Sequence, residues 1–170
     1  WSGVSIINKQ ARVSYDTAGS LFERSKFPII VSAEKNYFSD RLFGELRTAG
    51  ILVSPMISGS LKIATRRYEI LGVDPVSQKS NDLGFFSNSN RFLEFIQPPY
   101  SIIANDVTSK NLSQHTLFPE IEINNSLTDD LLIMDISVAQ KLLNKKGLIS
   151  RLELYSPEYD VNQAFLTSNS

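Results

Sequence analysis

The sequence contains no cysteine. Disulfide bonds, thiolate zinc sites and cysteine nucleophiles are therefore excluded. The chain also has no apolar run that approaches the roughly 20 residues needed to span a bilayer, and its start shows no signal-peptide pattern. Its net charge is −1, and basic residues dominate no segment. This charge pattern argues against nucleic acid as a partner.

The common catalytic motifs are missing as well. The sequence has no GxxxxGK(S/T) phosphate loop, no GxGxxG after a strand and no GxSxG nucleophile elbow. His115 is the only histidine, so a Ser–His–Asp triad or a histidine metal site would depend on it alone. It lies in the polar stretch SQHT, where a solvated loop histidine is the more common case. We therefore expect no enzyme activity and no catalytic, metal-binding or cofactor-binding residue in this chain.

The residues that are present predict a folded core. The 170 residues are 42% hydrophobic, which suffices for one medium domain or two small lobes. The most regular stretch is Asp130–Tyr155. Within it, Leu131–Met134 is a continuous apolar run, typical of a strand buried on both faces. Ser137 and Gln140 form a capping-box pattern, which predicts a helix that starts at Ser137.

The same stretch ends in a second predicted strand. Gly147 is expected to close the helix, because glycine adopts the left-handed conformation found there. Leu152 and Leu154 then alternate with Arg151 and Glu153, which predicts a half-buried strand. Asp130–Tyr155 thus forms a strand–helix–strand unit.

A similar unit is expected over Phe27–Ile57. It comprises a strand at Phe27–Ala33, a helix at Tyr37–Ala49 capped by Asn36 and stopped by Gly50, and a strand at Ile51–Ile57 interrupted by Pro55. A hairpin follows, with Arg66 and Arg67 at its turn. Two packed units of this kind predict an α+β fold, a ferredoxin-like split layer. We assign residues 27–74 and 129–156 to this lobe.

The first residues show helical periodicity. Apolar or small residues recur at steps of three and four over Ser2–Arg24, at Val4, Ile7, Ala11, Tyr15, Ala18 and Phe22. No N-cap signal precedes them. The pattern predicts a long N-terminal helix over residues 1–26 that continues upstream.

Residues 75–128 are expected to form an inserted second lobe that is mostly β. They comprise a polar loop, a segment at Arg91–Ile96 that suits helix or strand equally, a strand at Tyr100–Ala104, helical turns at Asp106–Ser113 capped by Asp106, and a strand at Phe118–Ile123. A final helix at Asn162–Leu166 is expected within residues 157–170, which lead away from the domain.

Phe85 and Phe86 are the candidate partner-binding residues. These adjacent aromatics lie in a loop rich in serine, asparagine and aspartate, where neither helix nor strand periodicity buries both. Exposed aromatic side chains often anchor partner proteins. The alternative is that the loop folds back and buries them in the second lobe.

Three charged groups carry weaker alternatives. Glu120 and Glu122 fall on one face of a strand and could flank a substrate or a calcium ion. The Asp129–Asp130 pair offers further carboxylates. Arg66–Arg67 could hold an anion. Each is explained as well by a solvated strand face or a turn.

The order of several motifs resembles the extracytoplasmic domain of FtsX-type (MacB-like) ABC transporter permeases. The motifs are GILVSPMISG at Gly50–Gly59, YEILGVDP at Tyr68–Pro75, PPYSIIANDVTSKNL at Pro98–Leu112, and LLIMDISVAQKLLNKKGLISRLEL at Leu131–Leu154. The last of these has Asp135, Ala139, Gln140 and Leu143 at the family's characteristic positions. The resemblance covers most of Phe27–Tyr155. Where the family often has a glycine–aspartate turn, this chain reads SQHTLFPE, so a shorter or differently built second lobe is expected.

The resemblance implies a domain between two transmembrane segments of a bacterial inner-membrane permease, in the periplasm or another extracytoplasmic space. Residues 1–26 would continue the first segment, and residues 157–170 would lead to the second. The domain would be a porter-like lobe carrying an inserted lobe. ATP is expected on a separate nucleotide-binding domain or subunit. The implied partners are a second permease subunit, the ABC ATPase, and a periplasmic adaptor or substrate protein.

The expected function is accordingly non-catalytic. The domain would couple cytoplasmic ATP hydrolysis to export, lipoprotein release or other periplasmic work, by transmitting conformational change and binding a partner. One alternative is a free-standing periplasmic binding or adaptor module. The other is a hydrolase that uses the carboxylates Glu120, Glu122, Asp129 or Asp130, which predicts that they converge in a cleft.

Overall fold

The computed structural model describes residues 4–7, 28–77, 89–115, 118 and 120–155, with the backbone alone for 4–7 and 89–91. The described strands are β1 (Val4–Ile7), β2 (Ile29–Ser32), β3 (Phe38–Ser39), β4 (Val53–Ile63), β5 (Arg66–Val73), β6 (Ile102–Ala104), β7 (Ile121–Ile123), β8 (Leu131–Asp135), β9 (Leu148–Ile149) and β10 (Arg151–Leu154). The described helices are α1 (Arg41–Thr48), α2 (Ser89–Ile96), α3 (Asp106–Leu112) and α4 (Ile136–Leu142). None of these helices has the length and apolar character needed to cross a membrane.

Eight strands form one mixed sheet in the order β1-β2-β10-β4-β5-β8-β6-β7, and β3 pairs with β9 separately. β10 lies between β2 and β4 and runs antiparallel to both. The unit β2–α1–β4 is therefore a split strand–helix–strand unit. β8 runs parallel to β5, so the unit β8–α4–β10 crosses over β5 and β4. The mixed α+β character expected from the sequence is confirmed.

Helices cover both faces of this sheet. On one face, α1 packs over β2, β4 and β10, while α3 and α4 pack over β4, β5, β6 and β8. On the other face, Phe95 of α2 packs on β4, β5, β6 and β8. β8 shows the consequence, since Leu131 and Ile133 face α2 while Leu132 and Met134 face α3 and α4. The prediction of a strand buried on both faces is confirmed, and each such side chain contributes about 1.5–3 kcal/mol by burial.

The start of α4 differs from the predicted capping box. The N-cap is Asp135, whose Oδ1 accepts hydrogen bonds from Ser137 N at 2.9 Å and from Ser137 Oγ at 2.5 Å. Gln140 instead donates from Nε2 to Leu148 O at 2.9 Å. Gln140 therefore ties the helix to β9 rather than capping it.

The end of α4 is also earlier than predicted. Asn144 takes the left-handed conformation at φ 53°, and Lys145 N donates to Gln140 O at 2.8 Å, as in a Schellman motif. Gly147, at φ 78°, belongs to the following turn. In α1, by contrast, Gly50 closes the helix as expected, with φ 83°.

The N-terminal helix prediction is wrong for the described residues Val4–Ile7. They form β1, which pairs antiparallel with β2 from Val4↔Ser32 to Ile7↔Ile29. VSII is rich in β-branched residues, which suit a sheet edge, and strand pairing overrides a weak three-and-four pattern. The remainder of Ser2–Arg24, like the helix expected at Asn162–Leu166, lies outside the described residues.

Several strand and helix boundaries also differ. α1 begins at Arg41, because Phe38–Ser39 pairs with β9 instead. β4 continues through Pro55 and Gly59 without interruption and forms the hairpin with β5. Ala64 and Thr65 make the hairpin turn, and Arg66 and Arg67 begin β5.

Arg151 and Glu153 are buried rather than exposed on a wet strand face. They keep only 6% and 2% of their surface accessible. β10 has a neighbouring strand at each edge, and all four of its residues are buried, so both of its faces are covered as well. The prediction of a half-buried strand, with Arg151 and Glu153 exposed, is therefore wrong.

The described part of residues 75–128 is more helical than expected. It contains α2 and α3, with eight and seven residues, and the three-residue strands β6 and β7. The ambiguous Arg91–Ile96 is thus helix. β6 pairs with β8, so these strands extend the main sheet. Local apolar runs predicted the strands β6 and β7. The sequence did not predict α2, because its apolar face is recognisable only from the packing of Phe95 on the sheet.

Asn105 fixes this region to the rest of the domain, in place of the predicted cap Asp106. Its Oδ1 caps α3 by accepting from Thr108 N at 2.8 Å. Its Nδ2 donates to Leu127 O at 3.2 Å and to Asp129 Oδ1 at 2.6 Å. Thr108 Oγ1 accepts from Asp130 N at 2.8 Å. Asn105 therefore joins α3 to the turn that leads into β8.

Gly72 allows α4 to approach β5 closely. A Cβ atom at this position would lie 2.5 Å from Ala139 Cβ, 2.7 Å from Ile57 Cγ2 and 3.1 Å from Ile136 Cα. The last of these atoms is backbone and cannot rotate away. A side chain at residue 72 would therefore push the helix off the sheet.

We predict that Gly72→Ala lowers the free energy of unfolding by about 1–3 kcal/mol through overpacking. Gly44→Ala is the matched control, because nothing lies within 4 Å of a Cβ at this exposed position in α1, and it should stabilise the protein by about 0.5–1 kcal/mol. Urea denaturation measures both. Equal effects of the two substitutions would contradict the close packing of α4.

We predict that Asn105→Ala destabilises the protein by about 2 kcal/mol, because a helix cap and two further hydrogen bonds are lost at a buried site. Lys110→Ala, which removes the exposed ion pair with Asp106, should cost no more than about 0.5 kcal/mol. The two thermal unfolding midpoints give the comparison. An Asn105→Ala protein as stable as the Lys110→Ala protein would show that the Asn105 contacts are dispensable.

Candidate functional site

The longest strand of the sheet has an edge that no described strand covers. β10 begins at Arg151, which pairs with Met56 of β4. β4 continues to Ile63 and stays paired with β5 on its other side, where Ile63 pairs with Arg66. We call residues Ser58–Ile63, on the side away from β5, the free edge of β4.

The hydrogen bonds identify which backbone groups face this edge. Ser150 N donates to Met56 O at 2.9 Å, and Tyr155 N donates to Leu52 O at 2.8 Å. Consecutive backbone groups of a strand point to opposite sides, so every second residue of β4 faces the β10 side. Ser60 and Lys62 continue this series beyond β10, and both are exposed.

Side chains satisfy the first backbone groups of the free edge. Ser58 N donates to Ser150 Oγ at 3.0 Å. Tyr37 Oη donates to Ser58 O at 2.9 Å. Ser150 and Tyr37 thus replace a strand partner at Ser58. Among the described residues, the same replacement does not extend to the backbone groups of Ser60 or Lys62.

A cavity of about 430 Å³ lies beside the free edge. We call it the edge cleft; its polar lining includes Lys35, Asn36, Tyr37, Ser58, Ser60, Glu69 and Ser150. A neighbouring hollow of about 780 Å³ shares Tyr37 and extends to Lys145. Lys145 Nζ lies 5.0 Å from the centroid of the Tyr37 ring, in a cation–π contact.

Tyr37 is the central side chain of the edge cleft. Burial raises the pKa of its phenol, and the carboxylate of Glu69 raises it further. The neutral phenol is therefore favoured, which is the form that can donate to Ser58 O. A Cβ at Gly59 would lie 2.9 Å from Tyr37 Oη, so this strand position leaves room for the ring.

The hairpin tip beside the cleft carries positive charge. Lys62 and Arg67 are cross-strand partners, and both are exposed. Arg67 Nη1 donates to Ser60 Oγ at 3.3 Å. Lys62 and Arg67 therefore place two cations side by side next to the free edge.

Arg66 differs from Arg67 because it is already paired. Its Nε and Nη2 donate to the two carboxylate oxygens of Asp130 at 2.6 and 3.0 Å. The hydrogen bond to Asp130 raises the pKa of the Arg66 guanidinium. Arg66 thus binds Asp130, whereas Arg67 contacts Ser60. The two arginines therefore do not form the anion clamp that the sequence suggested.

The four predicted carboxylates do not all converge in one cleft. Glu120 and Glu122 line a cleft of about 370 Å³ that also contains Glu94. Asp129 accepts from Asn105 and Asp130 is bound by Arg66, both outside that cleft. In the described part of the chain, no three His, Cys, Asp or Glu side chains are grouped so that they could hold a metal ion.

Two sequence candidates complete the inventory. His115 lies half-buried in the turn after α3, and its N donates to Leu112 O at 2.8 Å. Phe85 and Phe86 lie outside the described residues, so their role stays a prediction. Sequence reasoning missed the free edge of β4. The one feature of the sequence that could have indicated it is Ser58-Gly59-Ser60 in the middle of a strand, because poor strand formers suggest incomplete pairing.

Solved structures similar to this chain are known. No protein-family model and no curated protein matches the chain. The structure is similar to the extracellular domain of the noncanonic ABC-type transporter YknZ from Gram-positive bacteria, with 12% sequence identity and a TM-score of 0.45. The match covers 78% of this chain and 80% of the other.

We predict that alkaline pH destabilises the protein through Tyr37 and Tyr68. Burial raises the pKa of both phenols above the ordinary value of 10.0. The unfolded state therefore releases these protons first, so the free energy of unfolding is constant below the ordinary value and falls as pH rises above it. Urea denaturation between about pH 8 and 11 measures the fall.

The double variant Tyr37→Phe/Tyr68→Phe should show a smaller alkaline fall. At neutral pH, loss of the Tyr37–Ser58 hydrogen bond should cost about 1 kcal/mol. Deprotonation of lysines affects both proteins alike, so the difference between them isolates the two tyrosines. An unchanged alkaline fall in the variant would contradict the raised pKa values.

Proposed function

We propose that this chain is a non-catalytic extracytoplasmic domain of an FtsX-type ABC transporter permease. It transmits conformational change from the membrane and binds a partner. ATP is hydrolysed on a separate domain or subunit, and a second permease subunit completes the transporter. The work performed outside the cytoplasm is export, lipoprotein release or activation of a cell-wall enzyme.

The pairing of the first and last described strands carries this proposal. β1 and β10 both pair with β2, so the two ends of the described chain are built into one three-stranded unit. Pro28 O accepts from Leu154 N at 2.9 Å, where the chain enters β2 and leaves β10. A displacement applied through either end is therefore transmitted to the sheet as a rigid-body movement. Over Val4–Ile7, this strand unit takes the place of the helical lever that the sequence predicted.

The positions characteristic of the family act as structural contacts. Asp135 caps α4, Ala139 packs against Gly72, and Gln140 binds Leu148 O. Leu143 would lie 3.0 Å from a Cβ at Gly59. Together they hold α4 rigidly on β4 and β5. These contacts support a stiff domain. Partner binding is proposed for its surface and, from the sequence, for Phe85 and Phe86.

We predict that the full-length gene encodes an apolar segment of about 20 residues before Trp1 and another after Ser170. Alkaline phosphatase, which is active only outside the cytoplasm, should be active when fused after Tyr155 in the full-length protein. The same reporter fused beyond the second apolar segment should be inactive.

Each result distinguishes the alternatives. A signal peptide without a second apolar segment would identify a free-standing adaptor module and contradict the permease. An inactive fusion after Tyr155 would contradict the extracytoplasmic location. For the hydrolase alternative, Glu120→Gln/Glu122→Gln should leave the transporter's activity unchanged, and loss of activity in a folded variant would support that alternative instead.

A further inference from the structure

We propose that the free edge of β4 receives an extended, acidic segment of a partner protein as an added strand. The occupant we infer is a polypeptide backbone with at least one carboxylate side chain. It would lie beside Ser60 and Lys62, in line with β10, and would enter the edge cleft. Strand addition of this kind is an established mode of peptide recognition.

The backbone groups of Ser60 and Lys62 provide the first argument. Both residues direct N–H and C=O groups to the side where β10 has already ended, as the hydrogen bonds at Met56 and Ser58 establish. An incoming strand would lie about 4.8 Å away. It would complete the ladder without breaking any bond to β5, because Gly59, Leu61 and Ile63 serve that side.

The shape and lining of the edge cleft provide the second argument. A cavity of about 430 Å³ already lies along Ser58, Gly59 and Ser60. These residues are small, so they do not obstruct a neighbouring backbone. The serine and asparagine side chains of the lining are suited to contacts with peptide groups rather than to burial of a large apolar surface.

The charge beside the free edge defines the chemistry of the partner. Lys62 and Arg67 are adjacent and exposed on one face of the hairpin tip. A side chain of the added strand next to Lys62 would meet both cations, so a carboxylate is favoured and a lysine or arginine is disfavoured. The binding therefore weakens as salt concentration rises.

This inference does not depend on the permease function. Strand addition uses only the free edge and its charges, and it can be measured on the isolated chain. A failure of the membrane-topology test would therefore leave the strand-addition proposal intact. A failure of peptide binding would likewise leave the permease proposal intact.

The first experiment measures amide hydrogen exchange in the protein alone. The amides of Gly59, Leu61 and Ile63 should be protected by their bonds to β5, whereas those of Ser60 and Lys62 should exchange rapidly. Protection of Ser60 and Lys62 at low protein concentration would overturn the proposal, because another part of this chain would then cover the edge. Protection that appears only at high concentration would identify a second copy as the occupant and would also overturn it.

The second experiment adds a synthetic six-residue peptide in which valine alternates with aspartate. NMR should show the amide signals of Ser60 and Lys62 shifting. When the peptide occupies about nine tenths of the sites, their exchange should slow about tenfold, because only free protein exchanges. A peptide with asparagine in place of aspartate should bind more weakly. Absence of these changes with the acidic peptide would overturn the proposal.

Two variants separate the backbone from the side chain. Ser60→Pro removes the N–H that faces the free edge and keeps the bonds to β5, so it should abolish peptide binding. Ser60→Ala keeps that N–H and should bind normally. Circular dichroism checks that the Ser60→Pro and Ser60→Ala proteins are folded. A third variant, Lys62→Ala, keeps the backbone N–H and removes the charge, so it should weaken binding of the acidic peptide but not of the asparagine peptide. Equal binding by Ser60→Pro and Ser60→Ala would contradict strand addition.

Discussion

The position of β10 between β2 and β4 is the constraint on which the rest of the structure depends. Leu152 is in register with both Ile30 and Pro55. One four-residue strand thus joins the N-terminal strands to the long hairpin. Its side chains are buried on both faces, and removal of the apolar Leu152 and Leu154 from water stabilises the sheet there. Because β10 is short, it also creates the site, since β4 continues beyond it and is left with the free edge.

The register explains why Pro55 is tolerated inside β4. Every second residue of β4 directs its backbone groups to β10, and Pro55 is not in that series. Its nitrogen therefore points to the β5 side, where β5 ends at Val73 opposite Met56. The missing N–H costs no hydrogen bond of either ladder. A proline that seems to interrupt a strand in the sequence is compatible with an unbroken strand.

The domain separates its close packing from its open polar edge. Gly72, Ala139 and Asn105 hold α4 and α3 against the sheet through close packing and buried hydrogen bonds. Tyr37, Ser58 and Ser60 instead line an open, polar edge. A rigid sheet that moves as one body carries such an edge without changing its geometry. This arrangement suits the proposed coupling of membrane movement to partner binding.

The sequence by itself determined the elements whose signal is local. The buried run at β8 and the glycine stop of α1 were both readable, because burial on both faces and left-handed glycine leave a direct mark in the chain. A hairpin was also predicted before Val73, but its turn lies at Ala64 and Thr65 and not at Arg66 and Arg67. The weak motifs around Gly72, Asn105 and Asp135 also identified the stretches that later proved to be structural contacts.

Only the tertiary structure decided the features that depend on neighbours. β1 is a strand because β2 lies beside it, and Arg151 and Glu153 are buried because both faces of β10 are covered. Asn144 rather than Gly147 ends α4 through hydrogen bonds that no spacing rule distinguishes. The free edge at Ser60 and Lys62 exists because two strands of different length are paired, and the relative length of paired strands is set by the packing of the whole sheet.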